Sequence, residues 1–398
     1  MRKINFVYFG VVNAPNGAAT FFRTLFKHRA HFEESGNCET EFYAQNMSVL
    51  NKAKDTPVSV SRSKKLRLLL QQYAFLYFVF SLLGLYVFCL RHALKVVKKI
   101  PIESGDSDSV YFFNDIFSAY YFLKKKGKRG RIVLVLHNDG EATKMLLGQF
   151  PKLTGTWVEK YINKSFLWML SQCDDVVLLS QMSKDRFLFL YKSYLSQQRL
   201  HVIYNAADLI SNLQQVSCVT SRKEMTGVSI GSISYRKGFD LLVNAVKSVK
   251  EVRSDFHIQF KCIGNIQNQD IVNNNAVDNI QFLGSLSHAE IVEYLLTADF
   301  FILCSRDEGM PISIIEAMQC HLPIFATNVG AIPEMFSSGV EGIIFEPTLA
   351  NLIDVLNGIT DGDYDLEQMG NAAFVKYQNC YSIEKMLDCY KKLLVHES

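Results

Sequence analysis

The stretch from Asp299 to Glu334, DFFILCSRDEGMPISIIEAMQCHLPIFATNVGAIPE, constrains the fold of this chain more than any other. An apolar run, Phe300 to Cys304, ends at the polar Ser305-Arg306-Asp307-Glu308-Gly309, and a second run, Leu322 to Ala326, lies beyond it. Two such runs separated by a helix-length segment predict a strand, helix, strand unit. Pro311 suits the first helical position, where its missing N–H costs nothing. Glu308 and Gly309 then fall in the loop, and Glu316 lies inside the helix.

Ile312, Ile314, Ile315, Ala317, Met318 and Cys320 leave that helix apolar nearly all round, the pattern of a buried crossover helix. Glu316 is its one charge, and a buried carboxylate needs hydrogen-bond donors to offset its desolvation. The start of the same helix offers free N–H groups and the positive end of a dipole, which suit a phosphate. The pair points to a ligand carrying both hydroxyls and phosphate. Taken alone, a Glu pair at this spacing reads first as a solvated loop residue, Glu308, and half of an unrelated ion pair, Glu316.

Glu308-Gly-Met-Pro-Ile-Ser-Ile-Ile-Glu316, with seven residues between the two carboxylates, resembles the signature of the retaining, GT-B-fold glycosyltransferases of family 4, also called group 1. The following Asn328-Val-Gly-Ala-Ile-Pro-Glu334 strengthens the likeness. The resemblance implies that Glu308 contacts hydroxyls of the donor sugar. It implies that the backbone from Gly309 through Met310 and Pro311 to Ile312 holds the diphosphate, and that Glu316 takes the ribose hydroxyls.

The whole chain has 398 residues, more than one ordinary core, and suggests two domains. Nine cysteines, an odd number with no close metal-type pair, read as free thiols in a reducing compartment. The first residues mimic a secretory signal, but Asn5 and Asn13 interrupt a short run that reads better as a strand. Charge is unevenly placed. Between Asp55 and Glu103 there is no acidic residue, while Arg62, Lys64, Lys65, Arg67, Arg91, Lys95, Lys98 and Lys99 are all basic. The apolar segment from Ala74 to Leu90 would reach about 25 Å as a helix, just short of a hydrocarbon core of roughly 30 Å. Leu90, Leu94, Val97 and Ile100 then recur at helical spacing beside lysines, as in a helix lying in a membrane surface. An ordinary buried helix is the competing reading.

In chain order, Asn5 to Val12 predicts a first strand, turned by Asn13-Ala-Pro-Asn-Gly17 into a helix. The corresponding family loop lies against the donor phosphates and the acceptor; Gly17 would allow close backbone approach there, or simply turn the chain. Val110 to Asn114 and Arg131 to Leu136 predict two more strands, the second ending at His137. Ligands of open α/β sheets bind beyond such ends, and the resemblance implies that His137 faces the donor sugar. Val176 to Ser180 predicts a strand and Ser183 to Tyr194 a helix, while Asn205-Ala-Ala-Asp208 resembles the family's Asn-Gly-x-Asp with Ala206 in place of glycine. The polar stretch from Leu209 to Thr226 reads as a linker. Val228 to Gly231 begins a second domain, whose Arg236 and Lys237 resemble the basic cluster that neutralises the diphosphate; Ser232 stands where the family usually has arginine. Phe256 to Gly264 and Ile280 to Gly284 predict strands, Ser287 to Leu296 a helix, and Asn371 to Leu394 a helix broken near Tyr381-Ser382.

The sequence therefore predicts an α/β protein of the GT-B kind, with two Rossmann-like domains facing across a cleft. Residues 1–208 form an acceptor domain with a basic apolar membrane-associating insert at 62–102, residues 209–377 bind the nucleotide-sugar, and 378–398 return to the first domain. The expected activity is retaining transfer of a sugar from a nucleotide-sugar to a hydroxyl of a lipid-linked or cell-envelope glycan. Glu308, His137 and Lys237 are the candidate catalytic residues. Gly17, Arg236, Lys237, Gly309, Met310, Pro311, Ile312 and Glu316 are the candidate donor-binding ones. With two cations to neutralise the leaving diphosphate, neither a metal nor another cofactor is expected. The expected partners are the nucleotide-sugar, the glycan acceptor and an anionic membrane at whose cytoplasmic face the protein sits; nucleic acid is not among them. A GT-B-like nucleotide-sugar epimerase and a non-catalytic membrane-bound scaffold are the alternatives.

Overall fold

The computed structural model describes residues 2–14, 17–34, 38–47, 74–102, 108–195, 197–207, 224–274 and 277–395. Two compact units emerge: Met1–Ile203 together with Leu387–Ser398, and Tyr204–Met386. Each is a doubly wound parallel sheet between helices, so the expected α/β class with two Rossmann-like sheets is the observed one.

The first unit's six strands are β1 (Arg2–Val7), β2 (Cys38–Tyr43), β3 (Val110–Phe113), β4 (Arg131–Leu136), β5 (Asp175–Leu178) and β6 (Arg199–Val202), in the order β2-β1-β3-β4-β5-β6. Every pairing is parallel. The first strand lies earlier than the predicted Asn5 to Val12. Asn5 is buried and donates from Nδ2 to Val110 O at 3.4 Å, so a polar residue that reads as an interruption is absorbed into the sheet.

Alternation sorts the two faces of this sheet. Tyr111, Phe113, Ile132, Leu134 and Val176 pack with residues of the helices Arg91–Lys99, Ile116–Lys126 and Trp157–Leu170. Phe112 points the other way, to Phe21 of the helix Gly17–Lys27 and Tyr390 of the helix Ile383–Val395. The basic apolar segment is one helical run from Ala74 to Lys99, interrupted by a π turn at Tyr86–Leu90. Among the described residues no helix is long and apolar enough to cross a membrane. Arg62, Lys64, Lys65 and Arg67 lie outside the described residues.

The second unit repeats the plan with β7 (Thr226–Ile230), β8 (Gln259–Ile263), β9 (Ile280–Gly284), β10 (Phe300–Leu303), β11 (Ile324–Thr327) and β12 (Gly342–Phe345), ordered β12-β11-β10-β7-β8-β9. The predicted strand from Phe256 shortens to β8, because Phe256 and Ile258 join the core without joining the sheet. Ser287 and Glu290 form a reciprocal capping box that starts the helix His288–Thr297. The predicted break at Tyr381-Ser382 separates the helices Leu366–Cys380 and Ile383–Val395. All eight described cysteines are free.

Candidate functional site

In each sheet the chain winds one way from its first strand and then returns to the other side. That reversal falls between β1 and β3 in the first unit and between β7 and β10 in the second. Crevices open at the carboxyl ends of such strand pairs, where neighbouring loops part. The candidate residues are those that follow these four strands, and the strand next to β3.

In the second unit the loop after β7 carries Arg236 and Lys237, and the loop after β10 carries Glu308. Backbone contacts bind the two loops together. Arg306 N donates to Arg236 O at 2.8 Å, and Arg236 Nη1 donates to Asp307 O at 2.9 Å. Arg306 forks onto both oxygens of Asp240 at 2.7 and 2.8 Å while its guanidinium lies 3.8 Å from the centre of the Tyr235 ring. Gly238, at φ 69°, ends the turn directly over the Cys304 carbonyl, where a Cβ would sit 1.8 Å from the oxygen. Only glycine meets both demands.

The result is an ion pair between a half-buried lysine and a buried carboxylate. Lys237 Nζ lies 2.5 Å from Glu308 Oε1, which also accepts from Ser305 Oγ at 2.6 Å. A carboxylate withdrawn this far from water is sustained by such donors. The loop is pinned from behind as well. Thr327 Oγ1 donates to Ser305 O at 2.6 Å and Ala331 N to Gly309 O at 3.0 Å. Gly330, at φ 53°, packs so close that a Cβ would come within 1.9 Å of Glu308 O. The Asn328-Val-Gly-Ala-Ile-Pro-Glu334 stretch is thus the floor on which Glu308 rests.

The helix that follows is Ile312–Gln319, and Pro311 is its cap rather than its first residue, with φ −71° and ψ 115°. The prediction placed Pro311 one position too deep; the extended ψ turns the chain into the helix, and the ring occupies a place where no N–H is wanted. Ile314 N donates back to Pro311 O at 3.2 Å, leaving the N–H groups of Ile312 and Ser313 to open the helix. Gly309 and buried Met310 precede it. Glu316, expected on a buried helix, is mostly shielded and its Oε1 lies 3.3 Å from Nε2 of the exposed His288. Burial and the neighbouring Glu316 carboxylate push the Cys320 thiol up to about 12, so it stays protonated.

Two contacts here carry no obvious signal in the sequence. His288 faces Glu316 from another helix. Asn205 holds Met310 twice, its backbone N–H meeting Met310 Sδ and its Nδ2 donating to Met310 O, both at 3.2 Å. The Asn205 motif is visible in the sequence, but its partner, more than a hundred residues away, is not.

In the first unit His137 stands just past β4 and bonds through Nε2 to Asn114 Oδ1 at the end of β3. Asn114 is oriented by its own Nδ2, which donates to Ala18 O at 2.9 Å. Its Oδ1 must therefore accept, so His137 carries its proton on Nε2 and keeps Nδ1 as an acceptor. Burial holds the imidazole pKa down at about 4 and the ring neutral; Phe21 meets it edge-on at 5.1 Å. The residue after Asn114, Asp115, accepts from Phe9 N at 2.9 Å and Ser118 N at 2.6 Å. Burial raises its pKa to about 6 against those two donors. Gly17 opens its helix in an exposed position where a Cβ would touch nothing. The described residues contain no cluster of three or more side chains suited to a metal ion.

Residues 219–374, which include the Glu308 and Lys237 loops, match the family model for glycosyl transferases group 1. Sucrose-phosphate synthase from Thermosynechococcus elongatus superposes with a TM-score of 0.69 over 99% of this chain and 98% of its own, at 15% identity. Anabaena HepE in complex with UDP superposes with a TM-score of 0.64 over 99% of both chains at 14% identity. The chain has the GT-B fold. Among curated relatives, a phosphatidylinositol N-acetylglucosaminyltransferase protein of Arabidopsis thaliana is 28% identical over 180 residues, covering 44% of this chain and 39% of that protein. The chain spans about half the length, or less, of the curated relatives it matches. Within this GT-B chain, the Glu308, Lys237 and Glu316 constellation lies inside the matched segment.

Proposed function

We propose that the chain is a retaining glycosyltransferase of family 4 that moves a sugar from a nucleotide-sugar to a hydroxyl of a lipid-linked or cell-envelope glycan. The observation that carries this reading is the Lys237–Glu308 pair at the sheet's switch point, beside the opening of the Ile312–Gln319 helix and within the segment that matches the group 1 model.

Each residue then has a task. Glu308 faces the hydroxyls of the sugar and the positive charge that grows at its anomeric carbon. Lys237 has three N–H donors and spends one on Glu308; the others, with the exposed Arg236, serve the diphosphate as it leaves. The N–H groups of Gly309, Met310 and Ile312 meet phosphate oxygens at the positive end of the helix, with Pro311 shaping their turn. Glu316 takes the ribose hydroxyls. Neutral His137, with its free Nδ1, is assigned to the transferred sugar, and Gly17 to close passage of the backbone. With Lys237 and Arg236 supplying positive charge, the reading includes no metal and no other cofactor.

The UDP complex of HepE makes uridine nucleotides the first donors to try, and the lipid named in the Arabidopsis relative supports a lipid-linked acceptor. On this reading the protein works at the cytoplasmic face of a membrane, held by the segment 62–102 without crossing it. The direct test incubates the full chain with a panel of nucleotide-sugars without acceptor, following released sugar and its anomeric form by NMR. Slow hydrolysis with retention of one donor is expected. Release of the opposite anomer would remove the retaining mechanism, and a panel that neither binds nor hydrolyses would remove the transferase.

A further inference from the structure

We propose that three neighbouring helices of the first unit, Arg91–Lys99, Ile116–Lys126 and Trp157–Leu170, form a docking surface for an anionic lipid bilayer, with Trp157 and Tyr161 as its aromatic anchors. The proposal rests on the reading of the chain as a transferase working at a membrane. It extends the contact beyond the segment 62–102 to two further helices.

The three helices cover one face of the first sheet and are tied side by side. Lys126 Nζ donates to Ile100 O just past the end of the first helix. Tyr120 and Tyr161 join the second to the third through their hydroxyls at 3.2 Å. Cys89 and Leu90 of the π turn share an apolar cluster with Phe117 of the second helix and Val158 and Ile162 of the third, which links the π turn to the same surface. Their inner faces fill the core, so what remains outward is a separate choice of residues.

That choice is strongly biased. The three helices carry nine lysines and arginines, namely Arg91, Lys95, Lys98 and Lys99, then Lys124, Lys125 and Lys126, then Lys160 and Lys164, against the single carboxylate of Glu159. Glu159 is engaged locally, accepting from Gly155 N at 2.5 Å. The loop after the second helix adds Lys128 and Arg129, of which Lys128 pairs with Asp174 at 2.7 Å. Trp157, Tyr161, Lys164 and Trp168 recur at spacings of four, three and four, so they share one face of their helix. Trp157 is 66% exposed and Tyr161 58%. Lys124 Nζ stands 4.0 Å from the centre of the Trp168 ring.

Exposed aromatic rings amid lysines are the composition of a bilayer interface, where rings sit at headgroup depth and ammonium groups meet lipid phosphates. The adjoining helix selects the occupant. Phe75 is 75% exposed, and Leu83, Tyr86 and Val87 are also exposed. A nucleic acid backbone would answer the cations and leave those side chains in water; a bilayer answers both.

Both tryptophans of the chain, Trp157 and Trp168, lie on this surface, so intrinsic fluorescence reports on it directly. The test titrates the full chain with neutral phosphatidylcholine vesicles and with vesicles containing phosphatidylglycerol, following emission and co-sedimentation. Anionic vesicles should blue-shift the emission and bind more tightly, in a salt-sensitive way. The quadruple variant Lys124→Gln, Lys125→Gln, Lys160→Gln, Lys164→Gln should lose at least about tenfold in affinity for anionic vesicles and little for neutral ones. Trp157→Ala should weaken both. Unchanged affinity of the quadruple variant with circular dichroism intact would overturn the proposal, as would retention by single-stranded polynucleotide but not by vesicles. Binding of UDP is measured in parallel. Vesicle binding as described without any nucleotide or nucleotide-sugar binding would leave this surface standing and remove the transferase reading.

Discussion

The Lys237 ammonium lies 2.5 Å from the Glu308 carboxylate, with both side chains largely withdrawn from water. Each therefore offsets the other's buried charge. Removing one partner of such a pair strands the second, and the cost of that is larger than the net worth of the pair itself.

Lys237→Ala should accordingly lose about 3 kcal/mol of stability as well as donor binding. Glu308→Gln keeps the shape and the Ser305 contact, and should lower turnover by about a hundredfold while moving donor affinity far less. The double variant Lys237→Met, Glu308→Gln should recover most of the stability lost in Lys237→Ala. Urea unfolding and nucleotide titration separate the effects. Glu308→Gln protein with full turnover would withdraw the assignment of Glu308 to the reacting sugar.

His137 and Asp115 shift in opposite senses, and their effects on stability oppose one another. The folded His137 pKa is depressed to about 4 from 6.5, so its contribution is present above the unfolded value and lost as pH falls from 6.5 towards 4. The Asp115 pKa is raised to about 6 from 3.8, so its ionisation penalises the fold as pH rises through the same range. Compared with the parent, Asp115→Asn should lose stability more steeply on acidification, and His137→Asn less steeply. Melting temperatures between pH 4 and pH 7 give the slopes; slopes that match the parent would refute this linkage.

Gly330 and Gly17 make a contrasting pair. At Gly330 a Cβ would strike the Glu308 carbonyl in a left-handed backbone, so Gly330→Ala should cost about 2 kcal/mol and displace Glu308. At Gly17 a Cβ meets nothing, so Gly17→Ala should leave stability intact. Loss of donor or acceptor affinity in Gly17→Ala would then report close approach of a ligand. Unaltered binding would reduce Gly17 to a helix start.

Asp175 is fully buried at the start of β5, where Arg131, Arg199 and His201 converge on it. Burial works against its charge, but hydrogen bonds from His201 and Arg131 outweigh it and hold the carboxyl far below the usual range. Its stabilisation is present above the unfolded value of 3.8 and is lost as pH falls below it. Asp175→Asn should cost about 3 kcal/mol at neutral pH. Arg131 also donates to Leu393 O at 2.7 Å, so proteolysis should begin at the last helix in this variant.

Chelation is the remaining test of the site's chemistry. If Lys237 and Arg236 carry the charge of the leaving diphosphate, EDTA should leave turnover unchanged, and each substitution should weaken nucleoside diphosphate binding with or without magnesium. Activity lost to EDTA and restored only by a divalent ion would assign that task elsewhere.

The architecture is legible in the sequence because it rests on short-range pattern. Phe300 to Cys304 and Leu322 to Ala326 announce strands through composition, and Ser287 announces a helix through its cap. Glu308 and Glu316 stand out because their spacing is local. What stays hidden is what folding brings from afar. Nothing near Lys237 says that its ammonium meets Glu308, nothing near Glu316 points to His288, and Asn205 finds Met310 only in three dimensions. The lysines at 124, 125, 160 and 164 give no signal of their own for the same reason, being ordinary surface charges until three helices lie side by side.

Tyr390 is wholly buried against Phe21 and Phe112, and Arg2 donates to Val395 O at 2.8 Å. The face of the first sheet is thus closed by a helix that follows the whole second unit in sequence. During synthesis, Phe21 and Phe112 of the first unit therefore lack the Tyr390 ring until residues 204–386 have been made. A nascent chain stalled short of that point is an invitation to chaperones, and permuted versions that place Ile383–Val395 ahead of β1 should shorten its wait.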